Sequence, residues 1–199
     1  TAVPRLLTYD DLLAQPDDAR MEIVAGQLET LPAPSPRHSN VQGALRRFIG
    51  GPFHDDHGFD GPGGWWIFLE VDLELTRHDV VRPDLAGWRR ERLLDPDQRP
   101  LRTAPDWVCE ILSPSTSARD RTVKKRLYAA AEIGHYWLVD PDARTLEALA
   151  PAKMGVKDPN KKYDMSEMVR GDCLVSATGV THGSSRASAL RPRRYSRMG

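Results

Sequence analysis

A chain of 199 residues fits one domain plus a tail and is long enough to bury a sizeable core. Its 28 Lys and Arg offset its 28 Asp and Glu, yet residues 1–150 carry an excess of six acids and residues 151–199 an excess of six bases, the pattern of an acidic globule with a basic tail that is either solvated or drawn to a polyanion. No run approaches the ~20 apolar residues of a membrane span, the N-terminus lacks a signal-peptide pattern, and Cys109 and Cys173 are too few for a disulfide framework, so the expected setting is a reducing cytoplasm.

Thr8-Tyr-Asp-Asp-Leu-Leu-Ala predicts a short capped helix ending before Pro16. Met21-Glu-Ile-Val-Ala-Gly-Gln-Leu-Glu-Thr-Leu predicts a strand pair turned at Ala25-Gly26. Pro32, Pro34 and Pro36 impose an extended loop. Val41, Leu45, Phe48 and Ile49 then recur at helical spacing, giving an amphipathic helix over about 39–49. After a Gly/Pro-rich loop, residues 66–76 alternate strictly, with Leu69, Val71, Leu73 and Leu75 on one side and Glu70, Asp72 and Glu74 on the other, as in one half-buried strand.

Residues 80–88 and 106–112 predict two more strands. A helix is predicted over 117–133, with Ser117 and Asp120 as its cap signature, Val123, Leu127 and Ala130 as its buried stripe, and Gly134 as its stop. Strands follow at 135–140 and from 145. The helix between the strands ending at 112 and beginning at 135 implies a crossover, hence some parallel pairing in a mixed sheet. Beyond residue 151 the periodicity fails, Lys161-Lys-Tyr-Asp included. The division is therefore 1–150 as the domain and 151–199 as an atypical basic segment, poorly structured, whose residues 183–199 hold five arginines and no acid. That last stretch is expected to be dispensable for folding while adding salt-sensitive affinity for a nucleic acid.

Glu110 is the most informative candidate for chemistry. It shares a strand face with Val108 and Leu112, and an ionised carboxylate there loses hydration unless a cation or donors compensate; the alternative is a solvent face or a structural arginine. Asp84 lies in a second apolar strand, where a lone aspartate usually marks a strand end. Two acids on neighbouring inner strands suit a hard cation such as Mg²⁺. Asp120, Lys124 and Tyr128, at i, i+4 and i+8, line one side of the helix. Spacing alone favours Asp120 as a cap and Lys124 as its exposed partner; the other reading needs the helix to pack beside Glu110. His54 and His57 resemble half a zinc site without a second pair and are better read as a polar loop. Glu70, Asp72 and Glu74 read as the wet face of a strand. Ser113-Pro-Ser-Thr lacks a nucleophile elbow, and there is no P-loop or G-x-G-x-x-G.

Six short motifs in order carry a resemblance: Met21-Glu-Ile-Val-Ala-Gly-Gln-Leu; Pro34-Ser-Pro-Arg-His38; Arg82-Pro-Asp84; Val108-Cys-Glu110-Ile-Leu-Ser-Pro-Ser-Thr116; Asp120-x-x-x-Lys124-x-x-x-Tyr128; and His135-Tyr-Trp-Leu-Val-Asp-Pro141. Over roughly residues 5–150 the chain resembles the Uma-type putative restriction endonucleases of the PD-(D/E)XK superfamily. The resemblance implies a restriction-endonuclease-like α/β core, a mixed central sheet flanked by helices. It implies Asp84 and Glu110 as the metal-binding acids of a Mg²⁺- or Mn²⁺-dependent endonuclease acting on DNA, and a homodimer as in many such nucleases. The superfamily's lysine two residues after the second acid is Leu112 here, which makes Lys124 the candidate for a migrated lysine. Glu22, His38 and Tyr128 match further recurring positions without an assigned role. The rival expectation is a nuclease fold that has lost turnover and serves as a nucleic-acid-binding or interaction module; a third is a nuclease for RNA or branched DNA.

Overall fold

The structure, a computed structural model, describes residues 5–16, 18–54, 62–149 and 160–164. The chain begins with helix α1 (Tyr9–Leu13), capped by Thr8, whose backbone N–H donates to Asp11 Oδ2 at 2.8 Å. Strands β1 (Met21–Val24) and β2 (Gln27–Thr30) form the expected hairpin. Ala25 and Gly26 both have positive φ (50° and 74°), the twist that a two-residue hairpin turn requires. Helix α2 (Pro36–His54) is longer than the apolar spacing predicts, and it absorbs Pro52.

The alternating run at 66–76 is two strands, β3 (Trp65–Leu69) and β4 (Leu73–Thr76), in different sheets. Glu70 breaks it with φ of 48°. The expected buried side is only partly realised: Leu73 is fully buried and Leu75 half-buried, but Leu69 is 39% exposed, and β3 instead packs Trp65 and Ile67 on one face and Trp66 and Phe68 on the other. Residues 80–88 likewise divide into β5 (Asp79–Val81) and β6 (Leu85–Arg89), with Pro83 and Asp84 at the transfer between sheets. Strands β7 (Trp107–Ile111), β8 (His135–Asp140) and β9 (Thr145–Leu149) lie where the sequence places them. β10 (Asn160–Asp164) pairs antiparallel with β9, in a stretch that lacks periodicity.

The small sheet runs β2-β1-β5-β4 and the large one β10-β9-β8-β7-β6-β3. β7 and β8 are parallel, as the crossover between them demands, and the other pairs are antiparallel. One face of the large sheet buries Leu85, Trp107, Cys109, Ile111, Trp137 and Val139 beneath Leu45 and Ile49 of α2. The opposite face packs Val108, Leu112 and Leu138 with Val24 and Val81 of the small sheet and with Tyr128.

The crossover helix differs from expectation. It consists of α3 (Ser117–Arg119), a wide π turn (Asp120–Lys124) and α4 (Lys125–Ala130). It stops at Glu132, whose φ is 56°, two residues before Gly134. Its buried side is not the apolar stripe, since Val123 and Leu127 are half-buried and Ala130 is exposed. Asp120, Lys124 and Tyr128 are the buried positions. His57, Cys173 and residues 183–199 lie outside the described residues.

Candidate active site

Leu85 pairs with Cys109 in the antiparallel β6–β7 ladder, so Asp84, one residue before β6, falls opposite Glu110. Residues directly opposed in an antiparallel pair project from the same sheet face. Two contacts hold the acids together. The Ile111 N–H donates to Asp84 Oδ2 at 2.6 Å, and the Asp84 N–H lies 3.4 Å from Glu110 Oε2. Pro83 forces extended backbone on the preceding residue, which fixes the entry to Asp84 as the chain leaves the small sheet.

Lys124 reaches across from the π turn. Its Nζ donates to Glu110 Oε1 at 2.9 Å and lies 2.9 Å from Glu22 Oε1. The Tyr128 hydroxyl donates to the same Glu110 oxygen at 2.6 Å. Lys124 is 3 % exposed, whereas Lys125, next in sequence, is exposed. The exposed Asp120–Lys124 surface pair favoured by spacing alone is therefore not formed: both residues face inward. π turns insert one residue per turn and recur at functional sites; this one carries both charged side chains to the sheet. His38, near the start of α2, places Nε2 3.0 Å from Asp84 Oδ1. Glu22, Glu110, Asp120 and Lys124 are the buried charged side chains among the described residues, and all belong to this cluster.

Asp84, Glu110, Asp120, Lys124, His38 and Arg119 line one cavity of about 230 Å³, roofed by Pro34 and Ser35 on one side and Ser113–Thr116 on the other. Its electrostatics are set by crowding of acids. Burial pushes the Glu110 carboxyl up to about 8; Lys124 offsets part of this, and Asp84, Asp120 and Glu22 add to it. Burial alone would depress the Lys124 ammonium, but Glu110, Glu22 and Asp120 together hold it above its ordinary value. Burial also raises Asp120, against the pull of Lys124. The hydrogen bond to Asp84 raises His38 despite its desolvation. Burial first, and the neighbouring acids after it, thus leave the ionised form of Glu110 only partly compensated by Lys124.

Among the described residues no three His, Cys, Asp or Glu side chains converge as a complete metal cage. The donor set nonetheless fits Mg²⁺ or Mn²⁺. Such hard ions keep several waters and are commonly held by one or two carboxylates together with substrate phosphate. Glu110 Oε2, with only its 3.4 Å contact, is the less engaged oxygen of the pair. His54, which closes α2, accepts the Ile67 N–H at Nδ1 at 2.9 Å. Glu70 and Asp72 are not a wet face, since Glu70 binds Arg20 at 2.9 Å and Asp72 binds Arg82 at 2.6 Å.

Arg119 is the residue that sequence reading missed. Its Nη2 donates to Glu22 Oε2 at 2.5 Å and its Nε lies 2.9 Å from Glu29. The signal was available in the hairpin register, which sets Glu22 directly opposite Glu29. Opposed like charges destabilise a strand pair unless a cation bridges them.

No curated protein matches the chain. It is similar to a crystal structure described as a putative nuclease belonging to DUF820 from Anabaena variabilis, with 23% identity, a TM-score of 0.62, and coverage of 79% of this chain and 84% of that one. That likeness shows the fold. A profile of the family described as "Uma2: Putative restriction endonuclease" matches residues 6–182, running past the change of pattern at 151. The chain belongs to the Uma2 restriction-endonuclease-like family.

Proposed function

We propose that the protein is a Mg²⁺- or Mn²⁺-dependent endonuclease that hydrolyses phosphodiester bonds in DNA. The observation that carries this reading is the meeting of Asp84 and Glu110, from adjoining strands, in one cavity with the Lys124 ammonium 2.9 Å from Glu110. Asp84 and Glu110 would hold the cation, which when bound polarises the phosphate and makes water a better nucleophile. Lys124 keeps its proton and turns an N–H toward the phosphate, stabilising the charge that develops there. Tyr128 fixes one Glu110 oxygen, leaving the other for the cation. His38 orients Asp84 from the opposite wall. Leu112, which argued for a fold without turnover, is buried at 7 %, and the amine it lacks arrives from the neighbouring helix. Cutting both strands of a duplex in one encounter takes two such sites, hence two copies of the chain.

The test is cleavage of plasmid and single-stranded DNA by the purified full chain with Mg²⁺ or Mn²⁺. Cleavage should require the ion, vanish in EDTA, and fall by ~10³-fold or more in Glu110→Gln, which keeps the shape and removes the charge. Undiminished cleavage by folded Glu110→Gln would assign the activity elsewhere. No cleavage by wild type on DNA, RNA or branched substrates would favour the binding-module reading.

A further inference from the structure

Glu22 projects from β1 of the small sheet, yet it is fully buried and its partners lie on other elements. Oε1 accepts the Arg82 N–H at 2.7 Å and faces Lys124 Nζ at 2.9 Å, while Oε2 accepts Arg119 at 2.5 Å. Arg82 lies two residues before Asp84, and Arg119 and Lys124 lie on the crossover helix. One carboxylate thus ties the hairpin to the strand that leads to Asp84 and to the helix that carries the lysine.

A buried carboxylate is tolerated only when its charge and lone pairs are answered. A structural acid in this hairpin would be answered by Arg119 alone, which already bridges Glu22 and Glu29. The second cation needs another explanation. A lysine ammonium has three donors and a flexible four-carbon stem, so a single partner defines its distance but not its direction. Glu22 and Glu110 approach Lys124 from different sheets at the same 2.9 Å. Together they fix two of its three N–H vectors and leave the third for the cavity.

We propose that Glu22 is the positioning residue of Lys124: the β1–β2 hairpin holds the ammonium between two carboxylates, so that Glu110 does not bind it alone and stays available to the cation. This rests on the reading of Lys124 as the phosphate-facing charge. In Glu22→Gln the amide oxygen that still accepts the Arg82 N–H offers Lys124 only a neutral acceptor, so Glu110 becomes the one carboxylate that holds the lysine. Glu22→Asp keeps the charge one methylene short of its partners.

The experiment is reductive methylation of the full chain by formaldehyde and a borane, with Lys124 and Lys125 quantified separately by peptide mass spectrometry. Lys125 is the exposed internal control. Protection follows local opening, so wild-type Lys124 should react at least about tenfold more slowly than Lys125. The gap should shrink to about threefold or less in Glu22→Gln, and be intermediate in Glu22→Asp. In the cleavage assay kcat should fall about tenfold or more with KM within about twofold, the sign of an interaction made in the transition state. A merely structural acid would lower the melting temperature and leave the Lys124-to-Lys125 ratio unchanged. Wild-type protection of Lys124 in folded Glu22→Gln overturns the proposal, as does wild-type protection in Glu22→Asp if the glutamine variant does not fold. Altered labelling in a protein whose wild type cuts no nucleic acid would uphold the positioning role and remove the nuclease reading instead.

Discussion

Along β7, Trp107, Cys109 and Ile111 point into the core beneath α2, whereas Val108 and Glu110 point toward the crossover helix. The two faces are equally dry, for every residue of the strand is buried. On the α2 side that dryness is filled by hydrocarbon and by an edge-to-face Trp107–Trp137 pair 5.1 Å apart. On the helix side it encloses three acids and a lysine. Hydrophobic burial asks only for volume and shape. A buried charge cluster is tolerated when each member answers another, and here Lys124 compensates the ionised Glu110 only in part. One face is thus a hydrocarbon core, and the other carries the buried charge cluster on which the proposed function rests.

The largest expected effect of a single change comes from emptying the charged face. Lys124→Ala leaves the buried Glu110 without its cation and Glu22 with Arg119 as its remaining ion-pair partner, which should destabilise the protein by ~3–5 kcal/mol in a denaturant melt. It should also cut cleavage by ~10²–10³-fold while Mn²⁺ still binds. Unchanged cleavage by the folded variant would break the comparison. Trp137→Ala, on the opposite face, should cost a similar ~3–5 kcal/mol through cavity formation, but the folded fraction should keep wild-type kcat and KM. A selective loss of kcat there would show that both faces serve the chemistry.

A smaller effect separates the faces by pH. Glu110 is raised from 4.5 to about 8 by burial, so the folded, metal-free protein binds its proton more tightly than the unfolded chain does. Its contribution to stability is full below 4.5 and is lost as pH rises through about 8. A bound cation favours the ionised form and reverses that trend. Thermal melts with EDTA and with Mg²⁺ should therefore show a larger stabilisation by the ion at pH 9 than at pH 6, a difference that Glu110→Gln removes. An equal stabilisation at both values would exclude Glu110 as a ligand. Smallest of all, Lys125→Ala should change stability by no more than about 0.5 kcal/mol and cleavage not at all, since its side chain is exposed.

Most elements were legible because their signals are local. The Ala25-Gly26 turn, the Thr8 cap and the apolar strands β7 and β8 are each written within a few residues. What period-2 alternation could not reveal is which sheet a strand joins: β3 and β4 alternate as one run, yet Glu70 sends them to different sheets. The acids of the site were legible as charges inside apolar strands. The placement of Lys124 was not, because helical spacing shows that Asp120, Lys124 and Tyr128 share a side without showing whether that side meets water or Glu110. Arg119 was hidden for the same reason, since its partners lie 97 and 90 positions away in sequence.

The most direct test needs no nucleic acid. Mn²⁺ titrated calorimetrically into wild type, Asp84→Asn and Glu110→Gln reports whether the two acids form one cation site. The account predicts a single site in wild type, weakened by ~10-fold or more in each variant with secondary structure intact. Wild-type affinity in both variants would contradict it.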